Sequence, residues 1–365
     1  HLLEHAMFGG SAHVADGEHY EKLLRAGASG VGAFTTQSAT VYHADIPANR
    51  LPLVLWLESD RMGTFNARTH RGTIEKERRI VVEEMAQRRR GDDYDVMSAV
   101  LQDLLYPEGH PLHSQDAGSL ARIDVDDIDA FAERYYGPRN ATLVIAGALP
   151  EDARALVARY FGGLEGGERP AAPPPETRLA ASREARLRSG RAEAPMVWIA
   201  WPTPGFGEPG SAEGEVFARL VASRGLGMLE RGSSIATLDC VHVRRVGQST
   251  LFVVVGGTPG SDSATLLAEL DGLITRIASG APSDLDVLSA VRRSTVAMHA
   301  PIGAIDRRAE LMAEYLAAGK PPDWLAQDVA EHRRTTKARL LDFVRASLRG
   351  RPRAVVYVSP TEGSR

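Results

Sequence analysis

The sequence opens with His1-Leu2-Leu3-Glu4-His5, and this short stretch determines how the rest of the chain is interpreted. Gly9 and Gly10 follow it, and glycine readily adopts the left-handed conformation in which helices end, so the sequence predicts a helix over residues 1–8. Histidines four residues apart lie on one face of a helix, close enough for both imidazoles to bind one metal ion. Glu4 lies on the same side and is placed to take a proton from a water molecule at that metal.

A catalytic zinc ion needs a third protein ligand, and an acidic segment further along the chain offers candidates. Glu77 and Glu84 lie seven residues apart, which is two turns of the helix predicted over residues 72–90, so both can face the same site. Charged residues on a helix are commonly only a solvated surface, and the spacing alone leaves that alternative open. The order H-x-x-E-H is a zinc-protease signature. The alternative is a surface helix that carries two histidines and a glutamate by chance.

Residues 1–10 together with the pair Glu77 and Glu84 resemble peptidase family M16, which includes pitrilysin, insulin-degrading enzyme and the mitochondrial processing peptidases. Further similar stretches occur at residues 55–62, 109–111, 135–141 and 307–360. The resemblance is to the short bacterial type. It implies that Glu84 completes a zinc site with His1 and His5, and that Glu77 is an acidic residue behind these ligands.

The resemblance also implies an activity. We expect a zinc-dependent endopeptidase that hydrolyses peptides or unfolded polypeptides, with Glu4 as the general base. The alternative is a non-proteolytic structural or assembly subunit of an M16-type heterodimer. Subunits of that kind typically lose zinc ligands or the base, whereas His1, Glu4, His5 and Glu84 are all present here. One departure concerns substrate positioning, because Gly32 stands where the family usually has an asparagine that holds the substrate backbone.

The predicted elements indicate the α+β class, with mixed or antiparallel sheets packed against helices. Residues 165–177 are rich in glycine, proline and charge, so they predict a linker. The expected domains are a zinc-binding catalytic domain over residues 1–164 and a second, homologous domain over residues 178–365. Residues 141–146 predict a buried strand of the first domain. The family places strands before its zinc helix, so the first domain is expected to be N-terminally incomplete, without its targeting region.

Composition limits the classes of binding partner that we expect for this chain. A net charge of −4 gives no reason to expect nucleic acid, and no apolar run approaches the ~20 residues of a membrane span. The single cysteine, Cys240, excludes a disulfide framework within the chain and a cysteine-based zinc cluster. Family members close two halves around a chamber, so we expect a homodimer or a heterodimer with a related M16 subunit. The resemblance favours the bacterial periplasm or cell envelope over the cytoplasm.

Overall fold

A computed structural model describes residues 1–91, 93–168 and 177–361 of the chain. These residues form helices and strands that are numbered separately in chain order. The helices are α1 (Leu2–Ala6), α2 (Glu18–Arg25), α3 (Leu51–Thr64), α4 (Arg71–Gly91), α5 (Asp93–Leu105), α6 (Ala117–Arg122), α7 (Val125–Tyr135), α8 (Ala153–Phe161), α9 (Ser211–Arg224), α10 (Ser263–Ala278), α11 (Asp284–His299), α12 (Ile305–Ala317), α13 (Leu325–Arg333) and α14 (Lys337–Ser347). The strands are β1 (Ser29–Thr35), β2 (Thr40–Asp45), β3 (Arg183–Ser189), β4 (Met196–Pro204), β5 (Ile235–Val243), β6 (Gln248–Gly257) and β7 (Ala354–Pro360).

Two compact units make up the described chain. The described residues of the first unit are His1–Arg88, 115–168 and Ile302–Pro322, and those of the second are 89–91, 93–114, 177–301 and 323–361. Each unit combines helices with a sheet, which confirms the predicted α+β class. The predicted linker over residues 165–177 stays a prediction, and its residues 169–176 lie outside the described part of the chain.

The second unit is built on a mixed five-stranded sheet in the order β3-β7-β4-β6-β5. Strands β3 and β7 are parallel and the other neighbours are antiparallel, including the β5–β6 pair that the sequence predicts. Trp201 packs with Phe217 of α9 on one face of the sheet. Trp198 packs with Leu101 of α5 on the other face. Three residues apart along β4, the two tryptophans point to opposite sides, as alternation along a strand requires.

The first unit holds a small antiparallel sheet beside a cluster of helices. Strand β1 pairs with β2, with Gly32 opposite His43 and Thr35 opposite Thr40. The hydrophobic core of the unit joins α1 to α4 and α7, and its buried members include Leu3, Ile74, Val81 and Ile128. The apolar positions of α4 recur every seven residues, so one face of this long helix packs against the core while the other remains polar.

The strand predicted over residues 141–146 is wrong. This stretch forms no strand, and Leu143 within it is 48% exposed. Its apolar run of β-branched and aliphatic residues has high strand propensity, but propensity does not supply a hydrogen-bonding partner. Strands exist only in pairs, and in the described residues no neighbouring strand lies alongside this stretch.

None of the described helices combines the length and the apolar character that crossing a bilayer requires.

Candidate metal centre

Helix α1 contains His5 and directly follows His1, and its stability depends on its packing. A helix of five residues has too few internal hydrogen bonds to be stable alone. Leu2, Leu3 and Ala6 are buried in the core that also contains Ile74 and Val81 of α4. The residues of α1 that face the core therefore hold the helix against α4, while His5 turns toward the acidic side chains of α4.

Close approach between α1 and α4 requires a glycine. A Cβ atom added to Gly9 would lie 2.5 Å from Cγ2 of Thr73 on α4 and 3.0 Å from the carbonyl oxygen of Ala6. The first contact is closer than real Cβ atoms approach another carbon. Gly9 thus lets the chain leave α1 directly beside the first turn of α4.

Three side chains of these helices converge. Oε2 of Glu84 lies 3.7 Å from Nε2 of His1, and Oε1 of Glu84 lies 3.8 Å from Nε2 of His5. One ligand atom from each residue lies within 4.8 Å of the other two. The donor atoms around tetrahedral zinc lie about 3.4 Å apart, because each is about 2.1 Å from the ion. Small side-chain rotations bridge this difference, and two imidazoles with one carboxylate form a donor set that suits zinc, so the three residues fit the metal.

Glu77 holds the imidazole of His5 from behind. Its Oε2 lies 3.0 Å from Nδ1 of His5, and the side chains of both residues are largely shielded from solvent. A carboxylate beside Nδ1 keeps the proton on that nitrogen, which leaves Nε2 with a lone pair directed to the side of Glu84. The neighbouring acids Glu75 and Glu83 are exposed instead. It is therefore Glu77 and Glu84, seven residues apart on α4, that face α1.

Glu4 is buried, and its carboxylate contacts strand β1. Only 7% of the residue is exposed. Its Oε2 accepts a hydrogen bond of 2.5 Å from Oγ1 of Thr35, the last residue of β1. The carboxylate is thus attached to the hairpin while the histidines of the same helix face α4. Sequence reasoning assigned no role to Thr35, although the family stretch that usually has an asparagine at the position of Gly32 has a threonine three residues later.

A buried ionic cluster on α3 supports the segment that follows α1. The guanidinium of Arg61 lies 5.1 Å from the ring centroid of Phe8 and 4.2 Å from that of Tyr42. Nε of Arg61 donates to Oε2 of Glu58 at 2.9 Å, and Nε2 of His19 lies 3.4 Å from Oε1 of Glu58. Burial raises the pKa of the Glu58 carboxyl, but Arg61 and His19 outweigh burial and hold this pKa below its ordinary value. The carboxylate therefore stays ionised and keeps the arginine in place.

Asp60, the residue before this arginine, fixes the loop after α1. Its Oδ2 accepts a hydrogen bond of 2.5 Å from Oγ of Ser11, and its Oδ1 lies 2.6 Å from Nδ1 of His13. Asp60 is itself buried. The family resemblance covers residues 55–62 of this helix, and the contacts of Asp60 and Arg61 connect it to the chain that follows α1.

The departure at Gly32 has a local cause. A Cβ atom at this position would lie 3.2 Å from Nε2 of His43, the residue opposite it on β2. This contact is tighter than nearly all real Cβ contacts, so a side chain here requires His43 to move. The glycine and the histidine thus belong together as a cross-strand pair.

Two family models match the chain. Residues 1–107 match the model described as "Insulinase (Peptidase family M16)", and residues 122–293 match the model described as "Peptidase M16 inactive domain". Both models describe one family, and between them they cover most of the sequence. The chain therefore belongs to peptidase family M16, in a short bacterial form.

Individual relatives agree with this assignment. The chain is 22% identical to the zinc protease PqqE of Helicobacter pylori over 292 residues, which are 77% of this chain and 65% of that protein. The chain thus spans slightly less than two thirds of that relative's length.

Solved structures share the fold. A protease from Helicobacter pylori superimposes with a TM-score of 0.85 at 18% identity, over 99% of this chain and 89% of that one. The periplasmic protease PqqL from Escherichia coli gives a TM-score of 0.79 at 16% identity, over 100% of this chain and 43% of that one. Both likenesses concern the two-domain fold of M16 proteases.

Proposed function

We propose that the chain is a zinc-dependent endopeptidase in which His1, His5 and Glu84 bind the metal and Glu4 is the general base. The observation that supports this most is the convergence of the three ligand atoms within 4.8 Å of one another, from two helices far apart in sequence. Membership of family M16 and similarity to a protein named a zinc protease support the same activity.

Different residues of the chain have different roles in the proposed reaction. When bound, zinc supplies Lewis acidity, since it lowers the pKa of a water molecule toward ~7 and polarises the carbonyl group under attack. Glu4 takes the proton of the attacking water and later delivers it to the leaving amine, because one carboxylate can accept a proton and then donate it. Glu77 keeps the ring of His5 in one orientation through its bond to Nδ1.

The second candidate function is a non-proteolytic subunit, and one observation favours it. The family model that matches residues 122–293 is described as an inactive domain. That match contains none of the four residues to which we assign metal binding or proton transfer. Residues 1–107, which contain all four, match the insulinase model instead. We therefore assign the inactive description to the second domain and the catalytic role to the first.

We propose peptides or unfolded polypeptides as substrates, because an extended backbone must reach Glu4, which is 7% exposed.

We also propose that the chain works with a partner subunit of the M16 type. The whole chain aligns with only 43% of PqqL, whose first half has been solved by itself, so this chain corresponds to about one half of such a molecule. We propose a homodimer or a heterodimer with a related M16 subunit. The periplasm is the proposed compartment, since PqqL is described as periplasmic.

One experiment tests the proposed function. The purified chain is assayed for zinc per chain, for mass by light scattering, and for cleavage of internally quenched peptides. We expect one zinc ion per chain and cleavage that 1,10-phenanthroline abolishes and added zinc restores. A chain that binds zinc but cleaves no peptide, alone or with a related M16 subunit, would support the non-proteolytic function. A chain that binds no zinc contradicts the zinc-dependent endopeptidase and leaves the non-proteolytic subunit.

A further inference from the structure

Three hydroxyl groups form a chain of hydrogen bonds that ends on Glu4. The phenol of Tyr136, the residue after α7, donates to Oγ1 of Thr40 at 3.0 Å. Oγ1 of Thr40 lies 3.0 Å from Oγ1 of Thr35 across the hairpin. Oγ1 of Thr35 donates to Oε2 of Glu4 at 2.5 Å. Three separate segments of the first unit thus reach the same carboxylate through side chains alone.

The direction of every bond in this chain follows from proton counting. A carboxylate only accepts, so the single proton of the Thr35 hydroxyl is used on Glu4. The bond between the two threonines must then use the proton of Thr40, and Thr40 can accept only from Tyr136. Burial raises the pKa of Tyr136, so this phenol retains its proton. All three dipoles point toward Glu4, and hydrogen bonds aligned in this way strengthen one another.

The chain of hydroxyl groups binds one carboxylate oxygen of Glu4 and does not contact the other. Among the described residues, Oε1 of Glu4 has no hydrogen-bond partner, whereas Oε2 is held by Thr35. A general base must present a lone pair at a fixed place within hydrogen-bond reach of the water it deprotonates. A carboxylate that could rotate freely about its side-chain bonds would offer that lone pair only part of the time.

We propose that Thr35 is a positioning residue for Glu4: its hydroxyl holds Oε2 and so directs Oε1 to the water that is deprotonated. This rests on the proposed function. Thr40 and Tyr136 act through Thr35, since their protons fix the direction in which the Thr35 hydroxyl points. Thr35 is exposed, so water competes for this bond and the expected effect is a reduced rate and not its complete loss.

The test uses Thr35→Val, which removes the hydroxyl and keeps the shape, and Thr35→Ser, which keeps the hydroxyl. Turnover of a quenched peptide and zinc per chain are measured for both variants of the full chain. We expect Thr35→Val to lower kcat on the order of tenfold with KM and zinc content unchanged, and Thr35→Ser to restore most of the rate. Thr40→Val should give a smaller fall in kcat.

A second readout does not depend on activity. Crystal structures of the zinc-loaded variants report the conformation of the Glu4 side chain directly. We expect the carboxylate to leave its place in Thr35→Val and to keep it in Thr35→Ser. An unchanged Glu4 in Thr35→Val, or equal loss of rate in both variants, overturns the role of Thr35. If the wild-type chain holds zinc but is inactive both alone and with a related M16 subunit, the proposed function fails, and the crystal structures still decide whether Thr35 positions Glu4.

Discussion

Nδ1 of His5 lies 3.0 Å from Oε2 of Glu77, so the ring of one proposed ligand is held by a residue outside the ligand set. Loss of such a partner typically weakens metal binding by about 10- to 100-fold. We therefore expect Glu77→Ala to raise the dissociation constant for zinc by that factor, measured by competition with a chromogenic chelator. The control is Glu75→Ala, on the exposed side of the same helix, which should bind zinc as the wild type does. Equal affinities of the two variants would contradict the role of Glu77.

Glu84 and Glu83 offer a sharper comparison, since they are adjacent in sequence. Glu84→Gln replaces a charged ligand by a neutral amide, and we expect the protein to lose stoichiometric zinc after gel filtration. Glu83 is exposed and lies on another side of α4, so Glu83→Gln should retain one zinc ion per chain. Elemental analysis of both variants decides the third ligand. The reverse pattern, with zinc lost only in Glu83→Gln, would show that the wrong glutamate is assigned.

Glu4→Gln separates proton transfer from metal binding. Glutamine keeps the size of the side chain and can still accept a hydrogen bond from Thr35, but it cannot take a proton. We expect zinc content to remain that of the wild type while kcat falls by about 10²- to 10⁴-fold. Turnover of a fluorogenic peptide, measured beside the zinc content of the same sample, checks this. Unaltered turnover would remove Glu4 from the mechanism.

Gly9 tests the packing of α1 against α4. Gly9→Ala places a Cβ atom 2.5 Å from Cγ2 of Thr73, and overpacking of this kind typically costs about 1–3 kcal/mol. We expect a corresponding fall in the free energy of unfolding, together with weaker zinc binding. Thr73→Ser removes the obstructing methyl group, so the double variant should recover part of the loss.

Gly72 provides the matched control for this change. It lies in the first turn of α4, and a Cβ atom added there meets nothing within 4 Å. Gly72→Ala should leave stability unchanged or raise it by up to about 1 kcal/mol, because alanine favours the helix. If Gly9→Ala behaved like Gly72→Ala in chemical denaturation, the close approach at Gly9 would not matter for stability.

The second unit should lose stability in acid because of His242. This residue is buried on β5, and its Nε2 lies 3.0 Å from Oγ1 of Thr203. Burial, with Arg244 and His332 nearby, lowers the pKa of His242 to about 3. An unfolded histidine titrates near pH 6.5, so between about pH 6.5 and pH 3 the unfolded chain binds the extra proton. Stability is therefore complete above pH 6.5 and falls as the pH drops below it.

The size of this effect can be measured by denaturant titration at pH 7, 6 and 5. One such group contributes a slope of up to about 1.4 kcal/mol per pH unit. His332, also buried with a lowered pKa, adds to the slope. In His242→Gln we expect the slope to be smaller by the share of one histidine. Identical slopes in His242→Gln and wild type would exclude His242 as the source.

Local pattern predicted the helix that bears the histidines, and it also predicted α4, because both depend on spacing within one segment. It paired Glu77 with Glu84 by their two-turn separation. Thr35 could not be found in this way, since its contact with Glu4 joins residues 31 positions apart. Nothing in the sequence around Thr35 indicates which carboxylate its hydroxyl group will contact.

The strand predicted over residues 141–146 failed for the same physical reason. An apolar run indicates that a segment can form a β-strand. A strand needs a second strand to pair with, and only the fold as a whole supplies it. The burial of Asp60 and Arg61 on α3 was also beyond local pattern, because charged residues are mostly exposed and nothing in the helix period marks these two as buried.

With zinc at His1, His5 and Glu84 as proposed, the five-residue helix α1 links metal supply to folding. Zinc that binds only the ordered helix stabilises that order by an amount that grows with the concentration of free metal. The linkage is reciprocal, so a change in the core beneath Leu3 or Val81 will alter the affinity for zinc without touching a ligand. Scarcity of metal would then act on the chain as a destabilising mutation does, and the first unit would report the zinc level of its surroundings through its susceptibility to proteolysis.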